Sequence, residues 1–550
     1  MELNQGYHGG HLLAFSGLDG PTDFDQGLVV RTSFKDTGLD IVLPGRGHVR
    51  FSTSAPRAAS LTGDTFRIEL SDGLARGALL DAHHLLIEGP LVSFEGDGDL
   101  ARRRAGQRLL VGSAAHFNPG LIQADLDAAY RQRHHWLDSL ALPQGLPAER
   151  RSVLLRALSQ VKTMVYAPEG AITHRFTTPD RWPHRGMWLW DSAFHAIGLR
   201  HFDLSLAREA IEAVLDGQKP DGMVPLRTDP GPFYTEETQP PVLAFAARLV
   251  DELSPDPAWA ARLYPRLAAY VRWDLAHRDS DGAGLVEWAI QGDVNCRSGE
   301  SGMDNSPRFD DATRLDAVDF NAFLALEVEA LAHFARSLKL DEDARGWDAI
   351  RQTLVAGINA RLWNEDAGFY LDYDLDRKQP SGVLASSGFT PLAARAASPA
   401  QARRLAAHLE DLSTFGTPLQ VASVAASEPH RSPDMWRGPV WVNLNWLIAY
   451  GFERYPGLEP VAHALRRQTI TEIEKFALRY GTFFEFFDDR QQVDPPALLR
   501  KGSLDPDESP FHQVFFDYGW TATLYIDLVM QEYARSGRIT PSQPGKIEAI

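Results

Sequence analysis

From Gly27 to about Ala115 apolar residues come in short runs that alternate with polar ones, as in "GLVVRTSF", "HVRFSTS" and "TFRIELS", with Gly, Asp and Pro between the runs. Alternation with a period of two puts one set of side chains on one face, so each run predicts a strand. Runs recurring every roughly 8 to 15 residues predict an antiparallel β-sandwich. After "FNPGL" at 117–121 the period lengthens to that of a helix, first in "LIQADLDAAYRQRHHWLDSLAL" and later in "AVDFNAFLALEVEALAHFARSLKL" and "DYGWTATLYIDLVMQEYARSG". About a dozen such segments follow without an intervening strand, which disfavours a parallel α/β sheet and predicts a closed ring of helix pairs. The chain reads as a small β-sandwich domain over 1–120 and a mainly α domain over 121–550.

Four loops between the helical segments, at 166–187, 219–241, 279–317 and 481–515, are long and rich in Gly, Pro and aromatics. Long ordered loops in a compact domain usually carry function.

Composition narrows the chemistry. Apolar residues make up 44% and charged residues 23% of the 550, which is globular usage. The 73 acidic against 55 basic residues leave a net charge of -18, which repels phosphate backbones and anionic membranes and argues against nucleic-acid or membrane partners. Cys296 is the single cysteine, so an intrachain disulfide and a multi-cysteine metal site are excluded, and a reducing cytoplasm is expected. The first residues lack a basic region followed by a long apolar run, so an untargeted protein is expected. Thirteen tryptophans offer flat apolar rings that suit sugar faces, although large cores use them too.

No nucleophile elbow, phosphate-binding loop, dinucleotide fingerprint or zinc-protease motif is present. His83–His84 and His134–His135 sit in strand and helix patterns that account for them without a metal. What remains is acid–base chemistry by carboxylates flanked by aromatics. Three loop segments qualify: "MWLWDSAFH" with Asp191, "ESGMDNSPRFDD" with Asp304 and "GTFFEFFDD" with Glu485. Desolvation against apolar rings penalises the charged form of a carboxyl group, making it a candidate proton donor near neutral pH. Glu472 and Glu474 lie close to Glu485, but their helical setting predicts a solvated face.

The runs "APEGAITHRFTTPDRWPHRGMWLWDSAFHAIGL", "TQPPVLAFA", "ESGMDNSPRFD", "MWRGPVWVNLNWLIAYGF" and "FDYGWTATLYIDL" resemble, in order, the catalytic domain of glycoside hydrolase family 63 over about residues 120–535. The likeness is to its mannosylglycerate and glucosylglycerate hydrolase branch, with trehalases as more distant relatives. The resemblance implies an (α/α)6 barrel and cofactor-free hydrolysis, with inversion, of a small α-linked glucoside or mannoside of the glucosylglycerate, mannosylglycerate or glucosylglycerol type, or a short α-glucoside. It implies Asp304 as general acid and Glu485 as general base. Trp188, Trp190, Asp191, Gln239, Asn305, Trp436, Arg437, Trp441 and Trp520 would form the sugar pocket. Met435 stands where the glycerate-specific branch often has Tyr, and "FFDDRQQVDPPALLRKG" lacks the Asn-Pro-x-x-Gly pattern expected behind the base. A trehalase, a glycoside phosphorylase and a sugar-binding protein without turnover are the competing expectations.

Overall fold

Alternating burial runs through the N-terminal strands of the computed structural model, which describes residues 10–32, 39–43, 47–54, 56–90, 93–96, 98–502 and 513–535. In β6, Thr65–Leu70, the side chains of Phe66, Ile68 and Leu70 are buried and those of Arg67 and Glu69 exposed. One antiparallel sheet contains β1 (Leu12–Ala14), β2 (Val29–Thr32), β3 (Leu39–Leu43), β4 (Gly47–Ser52) and β9 (Ser93–Gly96), in the order β1-β2-β3-β4-β9. The other contains β5 (Pro56–Leu61), β6, β7 (Gly73–Asp81), β8 (His84–Glu88), β10 (Leu100–Ala105) and β11 (Arg108–Ser113), in the order β10-β11-β8-β7-β6-β5. Leu13, Val30, Ile41 and Val49 from the first sheet share one apolar cluster with Phe66, Ile68, Leu85 and Val111 from the second. The unbroken "LLI" of β8 has its own cause: Leu85 and Ile87 face the other sheet, while Leu86 packs with Ile122 and Leu126 on the far side.

Helices dominate from Leu126 onward. The helical period beginning at 121 becomes α1 only at Leu126–Ser139, because the Asp125 carboxylate accepts the N–H groups of Asp127 and Ala128 at 2.9 and 3.1 Å and sets the start there. Then come α2 (Ala148–Met164), α3 (Leu189–Leu199), α4 (Leu204–Asp216), α5 (Leu243–Leu253), α6 (Pro257–His277), α7 (Val318–Ser337), α8 (Asp341–Gly357), α9 (Pro399–His408), α10 (Val442–Glu453), α11 (Glu459–Tyr480) and α12 (Gly519–Arg535). α3 is buried on every side, and α5, α7, α10 and α12 nearly so, whereas α4, α6, α8 and α11 bury one face. The enclosed helices touch in sequence: α12 packs on α3, α3 on α5 and α5 on α7. Both α7 and α10 pack on the 3₁₀ stretch Ser386–Leu392, and α10 returns to α12. Gly198 permits the α3–α12 approach, since a Cβ there would lie 2.2 Å from the Thr523 carbonyl oxygen.

Two sets of contacts tie the β-rich region to the loops ahead of α3 and α12. In the first, Gly17 N donates to Val165 O at 2.8 Å, Phe24 N to the Glu169 carboxylate at 3.1 and 3.2 Å, and Arg181 to Phe15 O at 3.0 Å. In the second, Leu12 N donates to Asp517 Oδ2 at 2.7 Å, and Arg156 of α2 bridges the two by donating to Leu61 O at 3.2 Å and to Asp517 Oδ1 at 2.9 Å. Burial alone would raise the Asp517 carboxyl, but Arg156, His11 and the Leu12 N–H outweigh it and hold the group well below the carboxylate range.

Glu327 of α7 accepts the N–H groups of Ala244 and Phe245 at 2.9 and 2.7 Å, capping α5 from a fully buried position. Burial pushes its carboxyl up to about 7 against the opposing pull of those two N–H groups and Arg248. The folded value lies above the unfolded one, so this contribution is fully present below about pH 4.5 and is lost as pH rises through 7. The loss amounts to about 3 kcal/mol. Urea denaturation of the wild type and Glu327→Gln at pH 4 and pH 8 should therefore show their stability difference moving in favour of the glutamine variant by that amount as pH rises. A pH-independent difference would contradict it.

Candidate active site

One pocket lies at the N-terminal ends of the enclosed helices. Pro179, His184 and Trp188 reach it from the loop before α3, and Trp190 and Asp191 from the first turn of that helix. Gln239 comes from the loop before α5, Gly302 and Asp304 from the loop before α7, and Met435, Trp436 and Trp441 from the loop before α10. Glu485, Arg500 and Tyr518 come from the segment leading into α12, and Trp520 from the first turn of that helix. Asp191, Asp304 and Glu485, the three carboxylates flanked by aromatics in the sequence, share this lining.

The Asp304 loop is shaped by its small residues. Gly302 has φ +69°, and a Cβ there would stand 2.4 Å from the Trp190 ring, so both the turn and the close approach require glycine. Ser301 Oγ donates to Ser298 O at 2.8 Å and accepts Met303 N at 3.0 Å. Beneath them Arg308, with no side-chain exposure, donates to Asp319 at 2.7 and 2.8 Å and to Asp372 at 2.7 and 2.8 Å. Asp304 itself is half-buried, with Lys501 Nζ 3.7 Å from its Oδ2. Glu485 is buried, and its two oxygens accept Arg500 Nε and Nη2 at 2.9 and 3.2 Å.

Asp191 is different again. Its burial pushes the carboxyl well above the usual range, the negative charges of Asp180 and Glu485 push it further, and the Tyr518 hydroxyl pulls it partly back. Its Oδ1 is buried without a hydrogen-bond partner, as are Trp188 Nε1 and Trp520 Nε1. One carboxyl oxygen and two indole N–H groups of the pocket lining are thus unsatisfied, whereas buried polar groups are ordinarily paired.

The walls are indoles. Trp436 and Trp441 stack at 3.9 Å with planes 5° apart, and Trp190 meets Trp520 edge-on at 5.1 Å. Trp441 Nε1 donates to Met435 O at 3.0 Å, and Met435 holds φ +44°, a strained setting for a side chain of its size.

The sequence profile of the mannosylglycerate hydrolase MGH1-like glycoside hydrolase domain matches residues 183–492, which span Asp191, Asp304 and Glu485. A mannosylglycerate hydrolase of Thermus thermophilus is 30% identical over 382 residues, covering 55% of this chain and 90% of that protein. The solved structure of a GH63 mannosylglycerate hydrolase from Thermus thermophilus in complex with glucose superposes with a TM-score of 0.57 at 28% identity, over 68% of this chain and all of that one. The chain belongs to glycoside hydrolase family 63. It is an α-glycoside hydrolase. A bacterial glucoamylase complexed with acarbose shares the fold at 10% identity, with a TM-score of 0.55 over 97% of each chain.

Within this family 63 hydrolase the sequence-derived positions divide in two. Trp188, Trp190, Asp191, Gln239, Asp304, Trp436, Trp441, Glu485 and Trp520 line the pocket. Asn305 and Arg437 lie outside the lining and fasten its loops. Asn305 Oδ1 accepts Trp436 N at 3.0 Å, and Arg437 donates to Asn305 O at 2.9 Å and to both Asp310 oxygens at 2.9 and 2.7 Å. Gln239 does both jobs, since its Oε1 accepts Trp190 N at 3.1 Å. Glu472, expected on a solvated face, is buried and accepts Gln491 Nε2 at 2.6 Å, because the loop after Glu485 folds back over α11. His184, Arg500 and Tyr518 line the site without having been singled out in the sequence, and Met435, noted there as a departure from the branch's usual Tyr, lines it too. Only the positive charge of Arg500 in a glycine-containing loop could have marked it.

Outside the pocket, the donor atoms of Asp23, His83 and His116 lie within 4.8 Å of one another. The two imidazoles are stacked at 4.1 Å with planes 20° apart, so their lone pairs run side by side rather than converging on an ion. His84 is taken up by Asp81 and by the Asn118 N–H, and His134 by Thr65. Among the described residues no helix is long and apolar enough to cross a membrane.

Proposed function

We propose that this family 63 hydrolase is an inverting α-glycosidase for a small α-linked glucoside or mannoside, with Asp304 as general acid and Glu485 as general base. The observation that carries the reading is their meeting in one indole-walled pocket from loops far apart in the sequence. Asp304 gives its proton to the departing glycosidic oxygen as the anomeric C–O bond breaks. Glu485, held by Arg500, takes a proton from the water that forms the new C–O bond on the opposite face. Water must fit between acid and base, so a carboxyl separation of roughly 6.5–9.5 Å belongs to this mechanism. Trp188, Trp190, Trp436, Trp441 and Trp520 present ring faces and edges to the sugar, and Asp191 and Gln239 take its hydroxyls. Asn305 and Arg437 act indirectly, by holding the acid loop against the Trp436 loop.

The circuit of enclosed helices, each with an outer partner, supports an (α/α)6 barrel, with the segment Ser386–Leu392 completing the inner set. The shared apolar cluster between two sheets supports a β-sandwich as a separate unit, with the division near residue 120. The mannosylglycerate hydrolase relatives favour a glycerate conjugate as substrate.

Proton NMR on a panel of α-glucosides and α-mannosides, with glycerate and glycerol conjugates and trehalose included, tests the reading directly. The first sugar released should be the β-anomer. Early α-anomer would overturn inversion and the role of Glu485, and no turnover of any small α-glycoside would overturn the substrate class.

A further inference from the structure

We propose that Leu499–Gly502 is a cationic clamp on the reaction centre, in which Asp434 pins the backbone so that Arg500 reaches Glu485 and Lys501 reaches Asp304. This rests on the acid and base roles proposed above. The buried Asp434 carboxylate accepts Lys501 N through Oδ1 and Gly502 N through Oδ2, each at 2.9 Å, and Leu499 N donates to Pro433 O at 3.0 Å. Lys501 and Gly502 both have positive φ, at 55° and 79°. Two successive left-handed residues, one a lysine, are not a conformation the local sequence favours, so the turn depends on the carboxylate that collects its N–H groups. Neighbouring side chains then deliver one cation to each carboxylate. Arg500 meets Glu485 at 2.9 and 3.2 Å, and Lys501 Nζ lies 3.7 Å from Asp304.

The two cations do different work. As Asp304 loses its proton to the leaving oxygen it becomes a carboxylate, so the Lys501 ammonium meets a charge that grows only in the transition state and lowers the barrier for leaving-group departure. Glu485 loses charge as it takes the proton from water, so Arg500 is paired most strongly before the reaction and serves to aim the base. Lys501 and Asp434 are thus positioning residues acting through Asp304 and Glu485.

A glycosyl fluoride departs without a proton from the acid, so it separates these roles. Wild type, Lys501→Met, Asp434→Ala and Asp434→Asn would be compared on the preferred α-glycoside and on the α-fluoride of the same sugar. Lys501→Met should lose about tenfold in kcat on the glycoside with little change in KM, and about twofold or less on the fluoride. Asp434→Ala should lose about a hundredfold on the glycoside and keep a loss on the fluoride, because Arg500 is released too. Asp434→Asn retains one acceptor oxygen and should fall between. Equal losses on both substrates for Lys501→Met, or none on the glycoside, would overturn the clamp. Asp304→Asn run alongside separates the two ideas: leaving-group dependence in that variant but not in Lys501→Met sinks the clamp alone, while its absence in Asp304→Asn sinks the acid assignment itself.

Discussion

Asp304→Asn is expected to lower kcat on the preferred α-glycoside by about 10²- to 10⁴-fold with KM changed little, the range for removing a positioned general acid. Asparagine keeps the shape of the side chain and can sit in the same loop, whose fold is set by Gly302, Ser301 and Arg308. What it lacks is the transferable proton. The loss should shrink to less than about tenfold on the matching α-glycosyl fluoride. Glu485→Gln should show a similar loss on both substrates, since water must be deprotonated whichever group departs. Full activity of Asp304→Asn on the glycoside would remove Asp304 from the mechanism.

The largest stability effect is expected at Arg308. Its guanidinium is fully enclosed and donates four hydrogen bonds of 2.7–2.8 Å to Asp319 and Asp372. Those carboxylates are themselves buried, and they also accept Trp288 Nε1 and the Val318 N–H, each at 2.9 Å. Arg308→Met removes the cation and leaves two anions in a medium that cannot solvate them. Breaking a buried pair in this way costs about 3–5 kcal/mol. Urea denaturation should register that loss, and the triple variant Arg308→Met, Asp319→Asn, Asp372→Asn should recover a substantial part of it by removing the stranded charge. A loss below about 1 kcal/mol for the single variant would mean that water reaches the triad.

How legible all this was in the sequence depended on the range of the interaction. Strands were readable where one face is buried, as in "TFRIEL", and helices where the period is regular; the start of α1 shifted to Leu126 because the Asp125 cap prevailed over an apolar pattern that begins earlier. Asp191, Asp304 and Glu485 stood out because each lies in a loop segment rich in aromatic residues, and the burial of Asp191 among indoles matches that mark. Their ionic partners leave none. Arg500 lies 15 residues from Glu485, and Lys501 approaches Asp304 only through the Asp434 turn. The four phenylalanines around Glu485 suggested an apolar setting for its carboxyl. Instead Phe484 packs on Tyr480 and Phe516, Phe486 on Trp441 and Phe487 on Phe476, while the carboxyl itself meets a guanidinium. Arg437 reads as a wall residue from its neighbours, yet its length lets it pass behind the wall to Asp310.

The bond from Leu12 N to Asp517 joins groups 505 residues apart, and it holds the loop that carries Tyr518 into the pocket. In the time of synthesis this separation is large. At about 5–20 residues per second the ribosome needs on the order of 25 to 100 s to pass from one partner to the other. Throughout that interval the β-strands can pair and the early helices can pack, while His11 and Arg156 wait for the anion that will sit between them. Activity on the nascent chain is therefore withheld until the segment carrying Asp517 has emerged, and β1, which can pair with β2 early, gains this second anchor only then.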